Sequence, residues 1–116
     1  MAEKVKSRML KKENRLRGKN NFALMREKGR LIQSPLFGLV ILEGEDKRFG
    51  IVVSKKISKI AVERNRIRRR IYEGVKKKWE IIPKNVWGLF LVKKEILEMD
   101  TMQIEKEVER LFKEIR

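Results

Sequence analysis

The sequence predicts a mixed α/β (α+β) two-layer sandwich, with helices packed on a small sheet in the order helix, strands, helix, strand, helix. Three observations carry that expectation. FGLVIL (37–42), FGIVVS (49–54) and VWGLFLV (86–92) are short apolar runs rich in β-branched and aromatic residues. Residues 60–79 and 100–115 instead repeat their apolar side chains at helical spacing. The two kinds of run alternate along the chain, as they do when helices cover a sheet. A length of 116 residues suits one modest core, so a single domain over 1–116 is expected.

Each element has its own local reason. Residues 1–18 carry many charges and little periodicity, which predicts a basic arm that orders on meeting a partner, ahead of a globular part over 19–116. Asn20 or Asn21 can cap a short helix through about Lys28, with Gly29 as its left-handed terminator and Phe22 and Met25 on its inner face. The sequence leaves open whether 31–34 adds a strand. FGLVIL and FGIVVS flank EGEDKR, whose Gly44 and Asp46 suit a turn, so the two runs read as a hairpin. A helix follows over 60–79, and Ile82-Pro83 stops it because proline disfavours a helical residue before it. VWGLFLV is nearly continuous apolar sequence, as expected of a strand buried on both faces. Asp100 with Gln103 three residues later forms a helix start, and Ile104, Val108, Leu111, Phe112 and Ile115 form a core-facing stripe behind it.

Composition narrows the chemistry. With 41% hydrophobic and 41% charged residues and no apolar run near 20 residues, a soluble chain is expected. The amino end has no apolar stretch of the secretory kind, which predicts a cytoplasmic protein. Cysteine and histidine are both absent, so disulfides, thiolate or imidazole metal sites and the commonest general base are excluded. Glu43, Glu45 and Asp46 are the nearest acidic cluster; they suit a turn tip better than a carboxylate metal site.

The net charge of +15 is concentrated. Residues 1–30 carry 11 basic and 3 acidic residues, and residues 55–78 carry 11 and 2. Residues 31–54 and 79–116 are near neutral, at 2 against 3 and 7 against 8. Two dense blocks indicate a field built for a polyanion. In the second block, Ile67, Ile71, Val75 and Trp79 share one side of a helix, while Asn65, Arg69 and Lys76 lie opposite with Arg66, Arg70 and Lys77 in a row beside them. A merely solvated face would interleave glutamates, because like charges at these spacings cost ~0.2–0.5 kcal/mol per pair. Only Glu63 and Glu73 are present there, which points to a nucleic-acid backbone as the missing counter-charge. A basic helix set between strands, rather than after a short turn from another helix, favours RNA over DNA.

VVSKKISKIAVERNRIRRRIYEG (52–74) resembles the protein subunit family of bacterial ribonuclease P, where a strand ending in S-K-K leads through a short loop into an R-N-R helix. LKKENRLRGKNNFALMREKG (10–29) resembles the family's opening, and IIPKNVWGLFLVKK (81–94) its proline, strand and basic ending. The likeness spans about residues 10–115. The chain departs from the usual pattern at Ser58, where the loop commonly has glycine, at Arg26 in place of a second aromatic, and at Val40 in place of a strand tyrosine.

The resemblance implies a ribosomal-protein-S5-domain-2-like fold with a left-handed βαβ crossover, an exception to the usual hand. It implies two RNA surfaces. Lys55, Lys56, Arg64, Asn65, Arg66, Arg68 and Arg69 would lie against the catalytic ribonuclease P RNA. Phe22, Arg26, Val40 and Lys93 would line a cleft for the single-stranded leader of precursor tRNA. It further implies no catalytic side chain and Mg²⁺ held mainly by the RNA; composition argues against a membrane partner, and no obligate protein partner is evident in the sequence. Two other readings compete: a general RNA- or ribosome-binding module, and a self-sufficient metal nuclease using Glu43, Glu45 and Asp46.

Overall fold

The structure, a computed structural model, describes residues 14–16 and 18–115. Helix α1 (Lys19–Lys28) precedes strands β1 (Arg30–Gln33), β2 (Phe37–Glu43) and β3 (Arg48–Val52); helix α2 (Ala61–Lys77) and a short 3₁₀ turn lead to β4 (Val86–Val92), and a second 3₁₀ turn leads to helix α3 (Thr101–Lys113). The open stretch at 31–34 is therefore largely strand. Ser34 shapes the turn after it, its hydroxyl oxygen accepting from the backbone N–H of Phe37 at 3.0 Å.

The four strands run in the order β1-β2-β4-β3. β2 is antiparallel to both β1 and β4, with Leu39 opposite Phe90, whereas β3 is parallel to β4, with Ile51 opposite Phe90. This corrects the hairpin expected between 37–42 and 49–54: the two strands run in opposite directions but β4 lies between them. The apolar β4 gains most by taking the interior position, where both faces and both edges are covered. Strands two places apart are about 9.6 Å from each other, a gap that a four-residue connection spans with ease. The turn residues thus encode a reversal of direction without adjacency. Helix α2 connects the parallel neighbours β3 and β4, forming the βαβ unit that the resemblance calls for.

Alternation along the strands sends side chains to two cores. Phe37, Leu39, Ile41, Phe49, Ile51 and Phe90 pack under α2 and α3, where they meet Ile67, Ile71, Val75, Ile104, Val108 and Phe112. Aromatic edges lock this layer: Phe37 meets Phe90 at 5.0 Å between ring centres and Phe49 meets Phe112 at 5.4 Å. The inward stripes expected of both helices are buried as read, with Trp79 half-buried at the end of its row. The opposite face holds a smaller core of Leu16, Met25, Val40 and Leu89, covered by α1. The main sandwich is two-layered, and α1 adds a partial cover behind it.

The arm expectation for residues 1–13 and 17 lies outside the described residues. Asn14 to Leu16 are docked: Leu16 is buried, its N–H donates to the Phe49 carbonyl at 3.0 Å, and Arg15 bridges to the β3 edge. Helix α1 also begins differently from expectation. Its cap position is Gly18, at φ +96°, so Asn20 and Asn21 fall inside the first turn rather than before it. Gly29 is extended rather than left-handed, at φ −78°. Its glycine answers a need for space, since a Cβ there would strike the Val40 side chain and the Met25 carbonyl. At α3 the expected capping box is present, with the Gln103 N–H donating to Asp100 at 2.8 Å and the Asp100 N–H donating to the Gln103 side chain at 2.9 Å. Among the described residues no helix is long and apolar enough to cross a membrane.

Candidate nucleic-acid interface

Helix α2 buries Ile67, Ile71 and Val75 against the sheet, and this fixes which way its cations point. Arg66, Arg69 and Arg70 are exposed and make no ion pair with any described residue. Arg68 donates to the Asn65 side-chain oxygen. Lys55 and Lys56 stand exposed in the turn between β3 and α2, where the Ser54 hydroxyl oxygen accepts from the Lys56 N–H at 3.3 Å.

The loop before α2 is organised by Ser58, the residue that departs from the family's glycine. The residue at the helix cap, Ile60, has no side-chain acceptor to offer. Ser58 instead ties the loop to the helix start, accepting from the Ile60 N–H at 3.2 Å and donating to the Glu63 carboxylate at 2.6 Å. Its carbonyl accepts from the Arg64 guanidinium at 2.9 Å. One of the two acids in the basic block is thus bound to a hydroxyl instead of neutralising an arginine.

The carboxyl end of α2 behaves differently from its start. Lys77 pairs with Glu105 at 2.8 Å and Lys78 with Glu109 at 3.5 Å, both acids standing on α3. The Glu105 hydrogen bond pushes the Lys77 amine above its ordinary value. Lys77, placed by periodicity in the second cationic row, is therefore partly neutralised, and the open cationic surface is concentrated from Lys55 to Arg70. Arg66, Arg69, Arg70, Glu73 and Thr101 together line a notch of about 350 Å³ where α2 passes the start of α3.

The cleft candidates lie on the other side of the sheet. Phe22 is half-buried against the smaller core, and Val40 is 5% exposed, so it supplies floor beneath α1 rather than an open surface. Arg26 is exposed on the last turn of α1. Lys93 follows β4, where its amine donates to the Gln33 side chain at 2.8 Å and to the Ser34 carbonyl at 2.7 Å. Strand register sets further residues on this face that sequence reasoning missed. Leu31 is opposite Val40, Gln33 opposite Gly38 and Leu91 opposite Gly38 on the other side, and Leu31 is 51% exposed. Recognising β1 as a strand would have revealed them, because period-two alternation then assigns their face.

Glu43, Glu45 and Asp46 do not form a metal site: among the described residues no three such groups are placed to hold an ion. Asp46 accepts instead from the Trp87 indole N–H at 2.9 Å and from Arg48 at 3.0 Å. The indole hydrogen bond, helped by Arg48, holds its carboxyl below the usual carboxylate range.

Fold and site define a class of small α+β proteins that present a cationic crossover helix on one side of a sheet and a partly covered sheet face on the other. A family model described as Ribonuclease P matches residues 10–116. The chain is 30% identical to the ribonuclease P protein component of a Nitratiruptor strain over 101 residues, covering 87% of this chain and 91% of that one. It is 44% identical to the corresponding component of a Pseudanabaena strain over 66 residues, covering 54% and 57%. Among solved structures, the ribonuclease P protein from Thermotoga maritima superposes with a TM-score of 0.80 at 27% identity, covering 88% of this chain and 97% of that one. The Staphylococcus aureus ribonuclease P protein gives 0.77 at 28%, covering 86% and 93%. The chain belongs to the ribonuclease P protein family.

Proposed function

We propose that the chain is the RNA-binding subunit of a ribonuclease P ribonucleoprotein, acting in the cytoplasm to help a catalytic RNA remove the 5′ leader from precursor tRNA. The observation that carries this reading is the unneutralised run from Lys55 to Arg70, whose single acid, Glu63, is hydrogen-bonded to the Ser58 hydroxyl. On this reading Lys55, Lys56, Arg64, Asn65, Arg66, Arg68 and Arg69 bind phosphates of the ribonuclease P RNA. Phe22, Arg26 and Lys93, with Val40 beneath them, grip the leader of the substrate.

The chemistry is hydrolysis of the phosphodiester bond between leader and mature tRNA, leaving a 5′ phosphate on the tRNA. Mg²⁺, when bound, supplies an activated water and stabilises charge on the reacting phosphate. The donors described in this chain do not converge into a site for that ion, so we assign it to the RNA. The chain's share is binding: its cations lower the repulsion between two polyanions and hold the leader in register.

Reconstitution tests the reading. Mixed with a bacterial ribonuclease P RNA at limiting Mg²⁺, the chain should restore cleavage of precursor tRNA that neither component gives alone. Salt-sensitive binding to many RNAs without any stimulation of cleavage would instead identify a general RNA-binding module.

A further inference from the structure

Ser34 is the single buried polar residue among those described, at 6% exposure. A buried hydroxyl is tolerated when its hydrogen-bonding capacity is met. Its oxygen accepts from the Leu36 and Phe37 N–H groups at 3.3 and 3.0 Å, which closes the turn between β1 and β2. The hydroxyl then donates to the Glu107 carboxylate on α3. Glu107 is clasped in turn by the Arg110 guanidinium at 2.7 and 3.3 Å. Arg110 first, and the Ser34 hydroxyl after it, hold that carboxyl below its ordinary value although burial opposes them. An ionised carboxylate is the stronger acceptor.

The same turn holds Lys93 from the other side of the sheet. Strand alternation sends Lys93 to the outer face with Leu91, while Val92 between them packs on the main core. The Lys93 backbone N–H donates to the Leu36 carbonyl at 2.9 Å, and its ammonium donates to the Ser34 carbonyl and the Gln33 side chain. Both acceptors on the ammonium are neutral, so they aim it without cancelling its charge. They take two of its three donors and leave the third for a phosphate oxygen. A lysine free on its flexible stem would have to be ordered by the ligand instead, with a loss of affinity.

We infer that Glu107 is a positioning residue for leader binding: through the Ser34 hydroxyl it fixes the turn that, with Gln33, holds the Lys93 ammonium at the edge of the sheet cleft. The inference rests on the function proposed above, in which Lys93 grips the leader, and it adds Gln33, Ser34 and Glu107 as residues that act through Lys93. A helix packed on one face of the sheet thereby sets the geometry of a binding surface on the other.

A double-mutant cycle in the reconstituted holoenzyme tests this. The ratio of affinities for leader-bearing and leaderless tRNA is measured with the unmodified chain, Glu107→Ala, Glu107→Gln, Ser34→Ala, Lys93→Met and the double variant Glu107→Ala/Lys93→Met, each checked by thermal melting. Glu107→Ala should lower the ratio roughly three- to tenfold, the equivalent of losing a single hydrogen bond, with affinity for leaderless tRNA unchanged. Ser34→Ala should reproduce that loss, and Glu107→Gln, which keeps an acceptor for Ser34, should retain most of the ratio. In the Lys93→Met background Glu107→Ala should lower the ratio no further, because the residue it acts through is gone. An equal loss in both backgrounds, or a lowered melting temperature with the ratio intact, overturns the inference and confines Glu107 to holding the fold; the leader reading stands as long as the unmodified chain favours leader-bearing tRNA. Equal affinity of the unmodified holoenzyme for the two tRNAs would overturn the leader reading itself, and the role of Glu107 with it.

Discussion

Ser58 donates its hydroxyl to the Glu63 carboxylate at 2.6 Å across the loop that enters α2. The contact ties the loop to the first turn of α2, and the Ser58 carbonyl in the same loop accepts from Arg64. Ser58→Ala should therefore cost about 0.5–1.5 kcal/mol, the net worth of a typical hydrogen bond, in urea denaturation. It should also weaken binding to a ribonuclease P RNA, because the loop that carries Lys55, Lys56 and the carbonyl facing Arg64 loses the hydroxyl that ties it to Glu63 and the Ile60 N–H. Unchanged RNA affinity with lowered stability would confine Ser58 to a structural part.

Phe22 sits half-buried at the border between the small core and the open sheet face. Base stacking on an aromatic ring is worth about 1–3 kcal/mol per base. Phe22→Ala should reduce the preference of the reconstituted holoenzyme for leader-bearing over leaderless tRNA by on the order of tenfold. A loss of folding stability with that preference intact would show that Phe22 only packs against the smaller core.

The Asp46 carboxylate is held below its ordinary value of 3.8, first by the Trp87 indole and then by Arg48. A depressed folded pKa means that its stabilisation is complete above the unfolded value and is lost as pH falls through the folded one. Denaturation midpoints of the unmodified chain and Asp46→Asn, measured from pH 6 down to 2, should differ most at the upper end. The gap should close below about pH 4, as the native carboxylate gains its proton. A gap that stays constant over this range would contradict the assignment.

Phe90 is fully buried in the central strand and touches the rings of Phe37, Phe49 and Phe112. Phe90→Ala should destabilise the fold by about 3–5 kcal/mol, the usual cost of truncating a fully buried phenylalanine. Chemical denaturation would show this as a lower midpoint at an unchanged slope.

The parts of this fold that the sequence revealed are those specified by near neighbours. The α3 capping box needs only Asp100 and Gln103, and its buried stripe repeats every three or four residues. The cationic face of α2 was readable for the same reason. Strand order was not, because the turn after Glu43 fixes direction while the pairing partner, β4, lies more than 40 residues on. Whether 31–34 forms a strand stayed open because RLIQ is four residues long and buries only Ile32. The division of α2 into an open start and a neutralised end was equally hidden, since Glu105 and Glu109 arrive from another helix. Among the site residues, Val40 looked like surface by analogy with a tyrosine but is covered by α1, because Gly29 brings the backbone down onto it.

The most direct measurement of the central claim is the salt dependence of affinity for the catalytic RNA. If the Lys55 to Arg70 surface contacts about 6–10 phosphates, affinity should fall by ~10³–10⁵ between 50 and 200 mM salt, and Arg66→Ala or Arg69→Ala should each lower the slope by about one. An affinity that is flat across that range, or slopes untouched by either substitution, would contradict the account.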